Sequence, residues 1–412
     1  MKTSGDGLSR DTVLVRAPEV ELKLAPGGAW VALRDGEGLV CDDRALGVLE
    51  VFARPCPLTE GIGRLSQGSV GGAEAWMGLM DLVVSFYDHG ILQRPSVAPP
   101  TLTLGGYGAA PVHIAMLDDR ARTEAFLAAL RSTVQPGDVV VDVGTGTGVL
   151  AVTAALAGAR QVYAVEASEI ADLAQAVFES NGVADRVTLI RGRSTQIELP
   201  ERADVLVSEM IGSDPFDERI LEITRDASRR LLQDSARLVP GGIRVLAVPL
   251  EVPEPERARH TFTAATVGAW SESYGIDFSP LAAAADREPQ LAWITPQETR
   301  DWRALGEETL LVEVELGRIE APSFDRRVTV PIDRPGLLGG VLIFFELELA
   351  PGIVLSTSPT EASATNHWRS PLWLDATPQP VVPGQQLTLR YHYTGGMGRL
   401  EWSLSPGPAE GR

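Results

Sequence analysis

Two glutamates nine positions apart, Glu209 and Glu218, bracket the stretch Ser208-Glu209-Met-Ile-Gly212-Ser-Asp-Pro-Phe-Asp-Glu218. Carboxylates brought together in this way can grip a planar cation through charge-assisted hydrogen bonds. Left apart, they are two solvated loop acids. Upstream, Val139-Val-Val-Asp142-Val-Gly144-Thr-Gly146-Thr-Gly148 ends an apolar run in three glycines at alternate positions. Such glycines permit a sharp turn and a close ligand approach that any Cβ would block. A dinucleotide fingerprint is G-x-G-x-x-G, but here the third glycine falls one residue early and Val149 takes its place, which argues against a nicotinamide site. A glycine turn that merely packs strand on helix is the bland alternative. His367, taken alone, is more often a satisfied structural histidine than a catalytic one.

These residues need elements to hold them. Helical spacing covers Arg120 to Leu130, Val149 to Ala157 and Ile170 to Ser180, and apolar strands cover Val139 to Val143, Gln161 to Val165, Val187 to Ile190 and Val205 to Ser208. Continuous apolar strands separated by helices predict a doubly wound parallel α/β sheet covered on both faces. From Ile243 strands recur with few helices, predicting a β-sandwich or barrel; Thr261 to Leu281 breaks that pattern as an inserted arm.

Asp142-x-Gly144-x-Gly146-x-Gly148, followed by Glu166-Ala167 at the end of the next strand, resembles motif I of class I S-adenosylmethionine-dependent methyltransferases. A carboxylate at Glu166 can accept hydrogen bonds from both ribose hydroxyls. With the Glu209 and Glu218 pair after the fourth strand, the chain resembles the protein arginine N-methyltransferase family. Other segments carry the same resemblance: His113-Ile-Ala-Met116-Leu-Asp-Asp119-Arg-Ala-Arg122 before the glycine loop, Leu355-Ser-Thr-Ser-Pro359 with Asn366-His367-Trp368, and Tyr274-Gly-Ile-Asp-Phe278 in the arm. The resemblance implies S-adenosylmethionine as cofactor, with Tyr107, His113 and Met116 lining the cofactor or target pocket. Arg122 would pair with the cofactor's methionine carboxylate. Asp142, Gly144, Gly146, Gly148, Glu166, Ala167, Ser194, Thr195 and Glu209 would complete the cofactor site. Glu209 and Glu218 would orient and polarise an arginine acceptor, and His367 against Asp119 would close the site. Direct displacement of this kind needs no metal. The sequence departs from the family at Met210 and Ser213, where aromatics are usual, at Asp214-Pro215 in the loop, at Asn366 where the loop carries a threonine, and at Thr195 where a glutamate is common. Other acceptors, such as an N-terminal amine, a histidine or a carboxylate, and a degenerate non-catalytic binding module remain the alternatives.

The first ninety or so residues lie outside that resemblance. Alternating short runs from Asp11 to Cys41 predict one small antiparallel sheet, and three helices follow: one capped by Asp43, one from Leu58 to Leu65, and one carrying Trp76, Leu79, Met80, Val83 and Tyr87 that stops at Gly90. This resembles the winged-helix peptide-recognition domain of enzymes that modify ribosomally made peptides, and implies capture of a leader peptide by strand addition. A structural appendage or a DNA-binding winged helix has the same elements. The organisation expected is residues 1–93 as the winged-helix domain, 94–106 as a linker, 107–242 as a Rossmann-like domain, and 243–412 as a β-barrel with a dimerisation arm near 261–290. A formal charge of −19 repels phosphate backbones and argues against nucleic acid. It favours a cationic acceptor, with Asp214 and Asp217 adding negative charge at the entrance. Two cysteines give no disulfide framework, and neither a signal segment nor a membrane span is evident. The expectation is a cytoplasmic homodimeric enzyme without membrane association.

Overall fold

The computed structural model describes residues 8, 12–17, 20–24, 30–34, 37–66, 73–94, 109–285 and 289–406. Tyr107, and the expected linker beyond Arg94, lie outside them. The chain divides into two compact units, residues 1–99 and 100–412.

In the first unit, β1 (Val13–Arg16) pairs antiparallel with both β5 (Cys56–Pro57) and β6 (Leu92–Gln93). A second antiparallel sheet is the meander β2 (Glu21–Leu24), β3 (Trp30–Arg34) and β4 (Glu37–Cys41). The single sheet expected from the sequence is therefore two. The reason is packing: Leu14 of β1 is fully buried with Val48 and Phe52, Ile62, and Val83 and Phe86, which come from or follow α1 (Arg44–Val51), α2 (Leu58–Ser66) and α3 (Ala73–Asp88). Asp43 makes no capping bond. Its neighbour does: Asp42 Oδ1 accepts from the Arg44 N–H at 3.0 Å. Gly90, at φ +69°, follows the end of α3, as its sequence position predicts.

The second unit opens with α4 (Ala110–Asp118) and α5 (Arg120–Thr133). A five-stranded sheet follows in the order β11, β10, β7, β8, β9, parallel throughout. Its strands are β7 (Val139–Val143), β8 (Gln161–Glu166), β9 (Val187–Arg191), β10 (Ala203–Val207) and β11 (Leu232–Val239), and its helices α6 (Val149–Leu156), α7 (Ala171–Ser180) and α8 (Ile220–Arg230). Every residue of β7 is buried, as a central strand covered on both faces requires. The strand order reverses between β7 and β10, which opens a crevice at their carboxyl ends. The glycine loop leaves β7 there, and the two-glutamate loop leaves β10.

Antiparallel strands make up the rest of the unit. β12 (Gly242–Glu251) leads into α9 (Glu254–His260), α10 (Ala264–Tyr274) and α11 (Ser279–Ala285); β13 (Gln290–Ile294), α12 (Pro296–Thr299), β14 (Arg303–Ala304), β15 (Thr309–Glu315), β16 (Phe324–Pro331), β17 (Gly336–Ala350), β18 (Ile353–Ser356), β19 (Ser370–Val381), β20 (Gln386–Tyr393) and β21 (Arg399–Leu404) complete it. One sheet runs β13, β19, β17, β12, β14, with β15 also on β12 and β18 on β17; the other is β16, β20, β21. Alternate residues face inward: Ile243, Val245 and Ala247 of β12 and Ile343 and Phe345 of β17 meet Leu387, Leu389 and Tyr391 of β20. That core is continuous with Phe126, Val140 and Ala151 of the parallel-sheet layer, so the crevice is walled by both. Helices α10 and α11 stand where the arm was expected and leave Phe262, Tyr274 and Ile276 exposed. Among the described residues no helix is long and apolar enough to cross a membrane.

Candidate active site

The loop after β7 is shaped by backbone constraint. Gly148 sits at φ +86°, and a Cβ there would lie 2.4 Å from the Phe178 ring of α7. Only glycine lets the loop settle onto that helix. Beneath it, Asp142 is 0% exposed, accepts from Thr145 Oγ1 at 2.6 Å, and has a second oxygen with no hydrogen-bond partner among the described residues. Burial, only partly offset by the Thr145 hydrogen bond, pushes its pKa up to about 7. At the end of β8, Glu166 accepts from the Gly146 N–H at 2.9 Å and from the Ser168 N–H at 2.7 Å. Each carboxylate oxygen retains a further lone pair for a ligand.

Facing this loop, Glu209 forms an ion pair with Arg122 of α5; the two side chains are 6% and 9% exposed. Arg122 also donates to the Met116 carbonyl at 3.2 Å, and its guanidinium carbon lies 5.9 Å from the ring centroids of both Phe126 and Trp368. Its Nε–H is buried without a partner among the described residues. Burial lowers the Arg122 pKa to about 10 against the opposing pull of Asp119 and Glu218, so it stays cationic at neutral pH.

The loop between Glu209 and Glu218 is pinned from below. Asp214 is 2% exposed and accepts from the Phe216 N–H at 2.9 Å and the Gly398 N–H at 3.0 Å, and burial pushes its carboxyl up to about 7. The sequence placed Asp214 among the charges at the entrance; instead it anchors the loop to the turn before β21. Asp217 is exposed and approaches Gly212 so closely that a Cβ there would lie 1.7 Å from its Oδ1.

From the segment between β18 and β19, His367 Nδ1 lies 2.9 Å from Asp119 Oδ2, and the His367 N–H donates to the same oxygen at 3.2 Å. Asp119 caps α5 by accepting from the Arg122 N–H at 3.2 Å. Burial raises its carboxyl, but the His367 ring and the two N–H groups outweigh it and leave the pKa below the ordinary value. The neighbouring Trp368 donates its indole N–H to the Ile211 carbonyl at 2.7 Å, the Arg369 N–H donates to Ser213 Oγ at 3.0 Å, and Asn366 Nδ2 donates to the Trp368 carbonyl at 2.6 Å. This segment is therefore stitched to the two-glutamate loop.

Together these elements enclose a cavity of about 940 Å³. His113, Met116, Arg122, Gly144, Gly146, Glu166, Ala167, Glu209, Glu218 and His367 all line it. Asp142, Gly148 and Asp119 do not: they brace the loop and the histidine from behind. Ser194 and Thr195, on a short 3-10 turn after β9, are also absent from the lining; Ser194 is buried and Thr195 exposed. The sequence reading missed Trp293 and Arg369, which line the cavity too. Strand alternation around Ala292 and Ile294 is the signal that would have found the first.

Residues 119–245 match the family profile described as ribosomal protein L11 methyltransferase (PrmA), and residues 258–394 match the arginine methyltransferase oligomerization subdomain. A probable protein arginine N-methyltransferase 6 of Arabidopsis thaliana is 32% identical over 270 residues, covering 62% of this chain and 60% of that protein. An arginine N(omega)-methyltransferase of Streptomyces achromogenes subsp. streptozoticus is 30% identical over 286 residues, covering 68% of this chain and 74% of that protein. Among solved structures, the Trypanosoma brucei PRMT1 enzyme-prozyme heterotetramer with AdoHcy matches with a TM-score of 0.64 at 24% identity, over 74% of this chain and 96% of that one. The Arabidopsis thaliana protein arginine methyltransferase 10 matches with a TM-score of 0.60 at 23% identity, over 72% and 98%. These likenesses establish the fold, a Rossmann-like methyltransferase layer followed by a β-barrel. The chain spans 53 to 60% of the length of the first plant relatives it matches.

Proposed function

This chain belongs to the arginine N-methyltransferase family, and from that premise we propose that it moves a methyl group from S-adenosylmethionine to a guanidinium nitrogen of an arginine in a peptide or protein. One observation carries the reading: the two glutamates, the buried Arg122 and the glycine loop with Glu166 all face a single cavity. The cofactor suits these residues. Glu166 has lone pairs for ribose hydroxyls, the glycine loop admits close backbone approach, and Arg122 presents to a carboxylate a buried cation whose Nε–H has no partner among the described residues. When bound, the cofactor supplies an electrophilic methyl group on a sulfonium.

The chain's own residues do the rest. Glu209 and Glu218 accept the acceptor's N–H groups and hold its positive charge toward themselves, leaving the third nitrogen richer in electron density for attack. Holding that nitrogen in line with the methyl supplies much of the rate. The pair of Asp119 and His367 braces the wall through which Arg122 and Trp368 are held. Arg122, ion-paired with Glu209, would also hold the carboxylate of a bound cofactor, and its charge would then be shared between the two carboxylates.

The first unit, with a three-stranded meander beside three helices, supports a winged-helix reading in which a leader segment of a ribosomally made precursor peptide adds to a sheet edge. The exposed Phe262, Tyr274 and Ile276 of the arm support a homodimer, and the charge of −19 supports a cationic acceptor over nucleic acid in a cytoplasmic setting. The test is Glu209→Gln. S-adenosylmethionine should still bind by calorimetry, whereas mass spectrometry should find the roughly 14 Da methyl increment on arginine peptides lost by at least a hundredfold in rate. Turnover that survives Glu209→Gln would sink the two-glutamate mechanism.

A further inference from the structure

A guanidinium gripped by two carboxylates spends its in-plane N–H edges on them and leaves its two flat faces to be covered by something else. The two-glutamate loop offers little for that purpose. Of its residues, Met210 and Ser213, a thioether and a hydroxyl, line the cavity, whereas its aromatic, Phe216, is fully buried against Phe324 and Tyr393. Trp368 also lines the cavity but is committed elsewhere: it is 3% exposed, its N–H goes to Ile211, and its ring packs edge-on against Phe345 at 5.2 Å. Trp293 differs. It sits on β13 between Ala292 and Ile294, which are 4% and 3% exposed in the apolar core under that sheet. Strand alternation therefore turns Trp293 to the other face, into the cavity lining. Its ladder partner is Pro371, two residues from the Arg369 that bonds to Ser213. Among the described residues no other ring packs on the Trp293 indole, and its N–H has no hydrogen-bond partner.

We propose that Trp293 is the aromatic wall of the acceptor subsite, covering the face of the arginine guanidinium that Glu209 and Glu218 hold by its edges. The inference rests on the arginine-acceptor reading above. It assigns to a barrel strand the surface that the two-glutamate loop does not supply. An indole face over a guanidinium is a cation–π contact that also buries the acceptor's methylene stem. It selects a flat delocalised cation over a compact ammonium, so arginine peptides should bind better than their lysine counterparts by way of this residue.

The experiment uses the full chain saturated with S-adenosylhomocysteine and an array of arginine-centred nonapeptides with lysine-centred twins. The wild type should bind its best arginine peptide with quenching of tryptophan fluorescence. Trp293→Ala should weaken that peptide about tenfold and narrow its advantage over the lysine twin. Affinity for S-adenosylhomocysteine and the thermal midpoint should stay unchanged, and Trp293→Phe should recover most of the loss. Equal arginine affinity in wild type and Trp293→Ala would overturn the wall while leaving the arginine reading intact. Loss of cofactor affinity or thermal midpoint in step with peptide affinity, in Trp293→Phe as well as Trp293→Ala, would overturn it as a merely structural residue. A wild type that binds cofactor and prefers no arginine peptide would overturn the arginine reading itself, and the wall with it.

Discussion

Asp142→Asn should make the cofactor-free second unit less stable than wild type in acid and more stable in mild alkali. The carboxyl is wholly buried, and its pKa is pushed from 3.8 to about 7. Below pH 3.8 both folded and unfolded chains hold the proton, and nothing is lost. Between 3.8 and about 7 the unfolded chain releases it while the folded chain keeps it, so stability falls as pH rises. Above about 7 both are ionised and the penalty is complete, on the order of 4 kcal/mol at roughly 1.4 kcal/mol per pH unit. Asparagine carries no such penalty. It keeps an oxygen for Thr145 Oγ1 but sets an N–H group where Oδ1 has no partner among the described residues, a pH-independent cost of about 1 to 3 kcal/mol. The variant should therefore be about 1 to 3 kcal/mol weaker near pH 4 and about 1 to 3 kcal/mol stronger at pH 8. Urea titration read through amide-exchange protection of β7 reports this unit without interference from the first. Asp214, also raised to about 7, titrates in both chains and cancels in the difference. A difference that stays constant from pH 4 to pH 8 would refute the assignment of a buried, proton-retaining carboxyl.

Two further substitutions separate strain from space. Gly148→Ala meets both a left-handed φ and the Phe178 ring and should cost about 3 kcal/mol or more with at least tenfold weaker cofactor binding, whereas Gly182→Ala, at φ +65° with open space around it, should cost only about 1 kcal/mol and leave the cofactor isotherm unmoved. Equal effects of the two in calorimetry and thermal unfolding would mean that contact with α7 does not shape the loop. In the first unit, Asp42→Ala should destabilise by about 1 kcal/mol and Asp43→Ala by a few tenths at most, measured by chemical denaturation followed on the α1 amides; the reverse order would return the cap to Asp43.

What could be read from the residues themselves was whatever is local; the distant pairing of His367 with Asp119 was reached through the family resemblance instead. The run Val139 to Val143 declares a central strand because all five positions are apolar or, at Asp142, pinned by their neighbours. The glycines after it, and a carboxylate at the end of the following strand, lie within one βαβ unit, so their joint placement follows from local pattern. The residues that sequence reading misplaced are those whose role is set by a partner far along the chain. Asp214 reads as a loop charge until the Gly398 N–H is seen to bond to it, and β1 reads as part of the adjacent meander until its pairing with Leu92 and Gln93 is known. Arg122 and Glu209 were both given to the cofactor site, and Glu209 to the acceptor as well, but not to each other, because nothing in a sequence shows that two such charges will be buried as an ion pair. Trp293 belongs to the same class: alternation fixes that it opposes Ala292 and Ile294, but which face of β13 borders the cavity depends on how the barrel closes against the parallel sheet.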